Sequence, residues 1–263
     1  MTKLTGAQRD MYEHFSDVAV LYNNLRVTDL EPVIFIKNMM NGNSNIAAAD
    51  IGCGAGRYSL QFLQYLDLHH LACIDVNESM LGQVSSILRA AGLVNFSTIK
   101  SAAEQTPLAD NSINYIFTFN AIHHFDFVPF MQETARIVAA GGSIIIYTRL
   151  RSQNAENIWG KHFPFFLAKE NRLYEMDELE QMITMIPALN MQYVKRFRYL
   201  RTASLGQLVD LARNRHYSTF SLYGKEDFSS ALKGFQRNIT RHFGDLEYIK
   251  WFDEYTMLVV NRN

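Results

Sequence analysis

Three glycines with an acidic residue before them are the first residues that could do chemistry. Segment 50–56 has the sequence Asp-Ile-Gly-Cys-Gly-Ala-Gly and follows a short apolar run. Glycines let the backbone turn sharply and let a ligand come close. A helix that begins after such a loop presents free N–H groups and the positive end of its dipole. The loop predicts a site for an anionic ligand group, with Asp50 facing a ligand ammonium; a purely structural turn is the alternative.

A second acid, Asp75, ends the next predicted strand, 19 residues beyond Gly56. A carboxylate there can accept both ribose hydroxyls of a nucleoside. A helix cap or a solvated strand-end acid is the alternative. The glycine loop and Asp75 do not by themselves separate a nicotinamide dinucleotide from S-adenosylmethionine. The dinucleotide fingerprint has glycine where this chain has Arg57, and an arginine there suits a smaller anion, such as an amino-acid carboxylate.

Two adjacent histidines, His123 and His124, follow the fourth predicted strand. If an acceptor hydroxyl or acidic carbon reacts here, a base helps, and His123 is the preferred candidate. A packed or hydrogen-bonded histidine at a helix entry is the alternative. Neither histidine has a clear carboxylate or cysteine partner, so we predict no metal site.

The elements that position these residues alternate between short apolar runs and amphipathic stretches. Strands are predicted at 47–51, 71–75, 96–100, 114–119 and 143–148. Helices are predicted at 57–66, 79–91 and 127–139, the last stopped by Gly141 and Gly142. This alternation predicts a mostly parallel α/β sheet with helices on both faces, and ligands in such sheets bind at the carboxyl ends of the strands.

The less regular remainder adds strands predicted at 191–201 and 255–260, which bring the sheet to seven. We predict three parts: an N-terminal helical cap over 1–40, the core over 41–150, and substrate-binding helical insertions with the last two strands over 151–263. An aromatic wall for a planar or apolar substrate is predicted from Tyr147, Trp159, Phe163, Tyr217 and Tyr223. Core packing of these side chains is the alternative.

Composition narrows the class of protein. Of 263 residues, 48% are hydrophobic and 19% charged, which is typical of a globular chain. A net charge of -1 provides no overall basic excess and disfavours nucleic acid as a partner. No apolar run approaches the length of a membrane span, and the polar start contains no signal-peptide core. These features predict a cytoplasmic protein and leave a homo-oligomer open.

Four segments together resemble class I S-adenosylmethionine-dependent methyltransferases. They are the glycine loop, Ile74–Leu81, Ala103–Ser112 and Asn120–Phe125. The nearest branch resembles the small-molecule ubiquinone and menaquinone C-methyltransferases, and the likeness covers residues 46–148. The resemblance implies a Rossmann-like fold, S-adenosyl-L-methionine as cofactor, and methyl transfer to a small-molecule acceptor on oxygen, nitrogen or carbon. A non-catalytic cofactor-binding module and an aminopropyltransferase-like enzyme are the alternatives.

The resemblance also implies roles by position. The methionine part of the cofactor is lined by Gly52, Cys53, Gly54 and Gly56, with Asp50 near its ammonium. Asp75 holds the ribose, while the adenine is contacted by Val76, Met80, Ala103 and Glu104. Asn120 lies under the sulfonium, and Tyr22 and Arg26 cap the cofactor carboxylate, with plain packing as the alternative. Ala102 departs from the family, which often has an aspartate there for the adenine amino group.

Overall fold

A seven-stranded sheet organises the chain, which the computed structural model describes at residue 16 and over residues 26–40 and 45–263. The strands are β1 (Ile46–Ile51), β2 (Leu68–Asp75), β3 (Phe96–Lys100), β4 (Ile113–Phe119), β5 (Val138–Thr148), β6 (Leu189–Ala203) and β7 (Ile249–Arg262). Their order in the sheet is β3-β2-β1-β4-β5-β7-β6. The predicted fold class is therefore confirmed.

Ten α-helices lie in the described part of the chain. They are α1 (Glu31–Met39), α2 (Arg57–Tyr65), α3 (Glu78–Ala90), α4 (Phe127–Ile137), α5 (Arg151–Glu156), α6 (Ile158–His162), α7 (Phe166–Lys169), α8 (Met176–Thr184), α9 (Leu205–Arg213) and α10 (Lys225–His242). Short 3₁₀ helices occupy Ile122–His124 and Ser218–Leu222. None of the helices in the described ranges is both long and apolar enough to cross a bilayer.

The topology brings the ends of β1, β2 and β4 together. β1 pairs in parallel with both β2 and β4, β2 with β3, and β4 with β5, whereas β7 runs antiparallel to β5. The chain thus winds outward from β1 in two directions, and right-handed crossovers put the helices of the two directions on opposite faces. The loops after β1 and β4 meet where strand order reverses, which is the usual ligand position in such sheets.

The described residues form two compact units. The first, here called the sheet unit, comprises Val27–Thr148, Met176–Lys195 and Thr256–Asn263. The second, here called the aromatic unit, comprises Arg149–Glu175 and Arg196–Tyr255, together with residues 16 and 26. The strands β6 and β7 contribute residues to both units.

The core of the sheet unit is apolar on both sides of the parallel strands. Ala48, Ala49 and Ile51 of β1 are completely buried, as are Ile116 and Phe117 of β4. Such near-continuous apolar strands are expected when helices cover both faces of a parallel sheet. This packing fixes the strand ends from which the site is built.

The aromatic unit has a core of its own, made mostly of ring side chains. Trp159 stacks on Phe235 with ring centroids 4.9 Å apart and meets Phe220 edge-on at 5.3 Å. Phe163 packs against the same Phe220 at 5.0 Å. These rings lie on α6, on the residue that follows it, on α10 and on the second 3₁₀ helix, so the core joins segments that are far apart along the chain.

Candidate functional site

The glycine loop after β1 has the backbone that its composition predicts. Gly52, Gly54 and Gly56 have φ values of 74°, 53° and 81°, in the left-handed region that favours glycine. A Cβ on Gly52 would lie 2.6 Å from Cβ of Ala121 and 2.7 Å from the ring of Phe125. The loop after β1 therefore packs directly on the residues after β4, and only glycine permits that approach.

Asp75 holds the loop in place through both carboxylate oxygens. The N–H of Gly54 donates to Oδ2 at 2.9 Å, and the N–H of Asn77 donates to Oδ1 at 2.8 Å. Burial raises the pKa of Asp75, and the backbone donors oppose that rise. A carboxylate can accept about four hydrogen bonds, so each oxygen keeps capacity for a further donor. The predicted contact of Asp75 with two ribose hydroxyls stays a prediction.

Asp50 is a buried acid, only 2% exposed, at the next-to-last position of β1. Its Oδ2 accepts a hydrogen bond of 2.6 Å from the hydroxyl of Ser59 on α2. Burial raises the pKa of Asp50 to about 7, with the hydrogen bond from Ser59 acting against burial and the charge of Asp75 adding to it. A cation placed beside this carboxyl would favour its ionised form, which is the chemistry expected opposite an ammonium group.

Cys53 contributes a thiol that is not activated. Burial raises the pKa of Cys53 well above its usual value, and the neighbouring Cys73 thiol adds to the rise. A protonated thiol is a poor nucleophile, so the residue's predicted place in the cofactor loop rests on its backbone.

Asn120 follows β4 and has a backbone conformation that is uncommon for a residue with a side chain. Its φ is 55°, and its N–H donates to the carbonyl of Tyr147 on β5 at 2.7 Å. Such positions occur often at functional sites, where the surrounding structure holds them. The predicted place of Asn120 under a sulfonium stays a prediction.

The four residues predicted to meet an adenine differ in exposure. Val76 is 48% exposed, whereas Met80 and Ala103 are buried at 1% and 5%. Glu104 uses one carboxylate oxygen to accept from the N–H of Asp126, 2.8 Å away. Glu104 therefore has a local structural bond at the start of α4, and its adenine contact stays a prediction. Ala102, the departure from the family, is exposed.

A buried polar network fixes the segment that carries Ala103 and Glu104. Glu133 on α4 accepts from both the N–H and the hydroxyl of Thr106, each at 2.7 Å. Arg136 pairs with the same carboxylate, its Nη2 lying 2.6 Å from Oε1. This network ties the loop after β3 to α4 and was not predicted, because Thr106 and Glu133 are 27 residues apart.

His123 lies half-buried on the short 3₁₀ helix after β4, beside the exposed His124 at a ring distance of 4.1 Å. Its position at the end of β4 matches the predicted location, while its role as a base stays a prediction. Within the described ranges, no group of three or more histidine, cysteine or acidic side chains is placed to hold a metal ion.

The five residues of the predicted aromatic wall lie in both units. Tyr147, in the sheet unit, is 1% exposed and stacks on Phe119 at 4.9 Å. In the aromatic unit, Trp159, Phe163 and Tyr223 are buried in the core, and Tyr217 alone of the five is half-buried. The burial gives the first four a packing role, and their contact with an acceptor stays a prediction.

The predicted lid is described only in part. Tyr22 lies outside the described residues. Arg26 belongs to the aromatic unit, where its guanidinium lies 4.6 Å from the ring centroid of Tyr217. Capping of a cofactor carboxylate by these two residues stays a prediction.

Two residues that support the site were missed in the sequence. Ser59 binds Asp50 from the first turn of α2, and Asn77 both donates to Asp75 and caps α3 by accepting from the N–H of Met80. The capping role of Asn77 could have been predicted from the sequence, because asparagine is a frequent helix N-cap and Glu78 follows it.

The comparisons with known proteins agree with this geometry. Residues 49–146 match the family described as the methyltransferase domain. That stretch holds the glycine loop, Asp75 and Asn120. Residues 49–146 therefore carry a methyltransferase domain. The uncharacterised methyltransferase YcgJ of Bacillus subtilis is 31% identical over 98 residues, which are 37% of this chain and 38% of that protein.

Other relatives extend the match. A proposed methyltransferase of Dictyostelium discoideum is 25% identical over 156 residues, covering 57% of this chain and 56% of that one. The tRNA (carboxymethyluridine(34)-5-O)-methyltransferase ALKBH8 of Mus musculus is 26% identical over 160 residues, covering 59% and 22%. The sequence matches thus span less than two thirds of each of these curated relatives. The crystal structure of YcgJ superposes with a TM-score of 0.65 at 15% identity, covering 89% of this chain and 99% of that chain, which shows a shared fold.

Proposed function

We propose that the protein is an S-adenosylmethionine-dependent methyltransferase that acts on a small molecule. The single observation that carries the proposal is the glycine loop of the methyltransferase domain, held by Asp75 through the N–H of Gly54. Three left-handed glycines open the backbone to a ligand at the end of β1, and a nearby carboxylate suits ribose hydroxyls.

The residues of the sheet unit fit the two charged ends of the cofactor. Asp50 offers a buried carboxyl for the ammonium. Gly56, before α2, has no side-chain cap on the helix, so the first N–H groups of α2 suit a carboxylate. The cofactor, when bound, supplies a methyl group already activated as an electrophile.

The protein itself would position the acceptor and accept its proton. Alignment of an acceptor with the methyl–sulfur bond and exclusion of water can supply several kcal/mol of the roughly 7–11 kcal/mol available from proximity. In this proposal His123 takes the acceptor proton where the acceptor has one to lose. Residues 1–40 supply the cap, and residues 151–263 supply acceptor contacts, Tyr217 among them. Both cysteines are free thiols, in keeping with a cytoplasmic enzyme.

Calorimetry on the full chain tests the cofactor assignment. The protein is titrated with S-adenosylmethionine and S-adenosylhomocysteine, and NADH is the control ligand. Binding of the two sulfur nucleosides alone is the expected result. Binding of NADH alone would overturn the assignment, because the loop would then hold a dinucleotide.

Transfer is tested separately, with methyl-labelled S-adenosylmethionine and pools of small-molecule acceptors. Unmodified tRNA belongs in the same screen, because the mouse relative acts on tRNA. Label incorporated into a small molecule is the expected result. Cofactor binding without transfer to any acceptor would instead favour the non-catalytic binding module, and label in tRNA alone would replace the small-molecule acceptor.

A further inference from the structure

A buried arginine in the aromatic unit has an incomplete set of partners. Arg149 is 6% exposed. Its Nη2 lies 2.8 Å from the hydroxyl of Tyr255 and 3.0 Å from Oδ1 of Asp253. Its Nε is buried and has no hydrogen-bond partner in the described part of the chain. A buried donor without a partner costs about 1–3 kcal/mol, more when it is charged, so this geometry calls for an acceptor.

The carboxylate beside Arg149 is shared with a second guanidinium. Oδ2 of Asp253 lies 3.4 Å from Nε of Arg201, whose side chain is 15% exposed. Asp253 is the one acid among the described residues that forms an ion pair with Arg149. Asp253 is thus shared between two guanidinium groups, and Tyr217 is a further hydrogen-bond partner of Arg149.

A third guanidinium lies on the same ring as Arg149. The ring of Tyr217 has Arg149 at 5.3 Å and Arg26 at 4.6 Å from its centroid. Both guanidinium groups thus lie around one ring. Guanidinium groups match carboxylate and phosphate oxygens in shape as well as in charge, so an oxyanion is the ligand that suits the unpaired donor of Arg149.

The neighbouring histidine shows the same positive field. Burial lowers the pKa of His216 well below its usual value, and the charges of Arg26 and Arg149 lower it further. His216 is therefore neutral near neutral pH and adds no charge of its own. Tyr217 beside it is half-buried, so the cluster reaches the surface there.

We propose that the aromatic unit binds the oxyanion of a small molecule, a carboxylate or a phosphate, on the guanidinium of Arg149, with Tyr217 and Tyr255 beside it. The proposal goes beyond methyl transfer and does not depend on it. In this proposal Tyr217 contacts a charged oxyanion, whereas the sequence predicted that it would contact a planar or apolar substrate.

Thermal unfolding of the full chain in inorganic phosphate and in acetate, with chloride at the same ionic strength as the reference, tests the proposal. We expect one of the two oxyanions to raise Tm above chloride, which also separates a phosphate from a carboxylate ligand. Arg149→Lys keeps the charge and loses the planar fork, so its apparent affinity should fall by at least about tenfold. Arg198→Gln is the matched control, since it removes an arginine whose side chain is 60% exposed.

Two results would overturn the proposal: no rise of Tm above chloride with either oxyanion, or an equal response in the wild type and Arg149→Lys. If Arg149→Lys fails to fold, the double variant Arg149→Met with Asp253→Asn removes the buried pair together, and it should lose the response. The wild type also provides a direct measurement by NMR. The Nε–H signal of Arg149 should shift with oxyanion concentration, and an unmoved signal would exclude the site whatever the variants do.

Discussion

The two units differ in how far apart along the chain their functional contacts lie. In the sheet unit, Asp50 and Ser59 are 9 residues apart and Gly54 and Asp75 are 21 apart. In the aromatic unit, Arg149 and Tyr255 are 106 residues apart. The first kind of contact falls within one strand–loop–helix–strand segment, whereas the second needs the whole unit to fold.

The comparison shows why the glycine loop with Asp75 could be predicted from the sequence, whereas the surroundings of Arg149 could not. A local contact leaves a motif, because the same short segment must supply the turn, the ligand group and the following helix. A contact between distant segments leaves only an arginine, a tyrosine and an aspartate at no fixed spacing. We therefore expect changes in the sheet unit to affect ligand binding, and changes in the aromatic core to affect stability first.

The largest effect should come from the glycine loop and its acid. Asp75→Ala removes the acceptor of the Gly54 N–H, and Gly54→Val puts a β-branched residue at a φ of 53°. Each should weaken S-adenosylmethionine binding by at least about a hundredfold in calorimetry. Asp67→Ala, at an exposed acid of the same unit, should bind as the wild type does. Wild-type affinity in either loop variant would refute the assigned site.

Removal of the Trp159 ring from the core of the aromatic unit should have the next largest effect, on the free energy of unfolding. Trp159 is 2% exposed and contacts Phe235, Phe220 and Phe163. Trp159→Ala should lower the free energy of unfolding by about 3–5 kcal/mol, because it leaves a large cavity. Tyr248→Ala, where the side chain is 68% exposed, should change it by no more than about 0.5 kcal/mol in the same denaturant titration.

A loss of less than about 1 kcal/mol at Trp159 would contradict the core assignment, because large losses are the rule for buried tryptophans. That result, together with weakened acceptor binding, would instead support the predicted aromatic wall. The two roles are thus separable in one variant.

A smaller, pH-dependent effect should come from Asp50. Its pKa is raised from 3.8 to about 7 in the folded chain, so the folded state holds this proton more tightly than the unfolded state does. The cost of ionising Asp50 is absent below its unfolded pKa and grows as pH rises to about 7, where it is complete. Wild-type stability should therefore fall with pH by about 2–3 kcal/mol from this group between pH 5 and pH 8.

Asp50→Asn should remove that fall, which denaturant titrations at pH 5 and pH 8 would measure. Asp67→Asn is the control at an exposed acid and should keep the wild-type slope. The same slope in the wild type and in Asp50→Asn would mean that the buried carboxyl is not the group that titrates.

The sharpest test of the chemistry should be at His123. His123→Ala should leave cofactor affinity unchanged and lower kcat by about a hundredfold, at the low end for a general base because the ring is half-buried rather than enclosed. His124→Ala, at its exposed neighbour, should leave kcat unchanged. Equal kcat in the wild type and in His123→Ala would remove this histidine as the base.

The structure agrees with the predicted elements most closely where the pattern was strong, and it departs from them at strand ends. The strand predicted at 96–100 has those bounds, but β5 begins at Val138 rather than Ser143. The prediction that Gly141 and Gly142 stop a helix was wrong. They lie inside β5, and a Cβ on Gly142 would come within 2.7 Å of the carbonyl oxygen of Asn114. The glycine serves a close approach of strands, which sequence alone does not distinguish from a stop.

The last strand was also predicted too short. It was predicted over 255–260, where the residues are apolar, whereas β7 runs from Ile249 to Arg262. Its first half carries Lys250, Asp253 and Glu254, and no apolar run marks it as a strand. Asp253 is nonetheless buried, because it pairs with Arg149 and Arg201.

Sequence by itself determined the parallel α/β sheet, the glycine loop, the acid at the end of β2 and the family of the domain. Each of these depends on apolar periodicity or on residues within a few tens of positions, and such information survives in a linear chain. Only the tertiary structure decided which aromatic rings are core, where Ser59 and Glu133 act, and that Arg149 is buried beside one shared carboxylate. Those outcomes depend on which distant segments pack together, and burial is a property of the packed unit rather than of any residue alone.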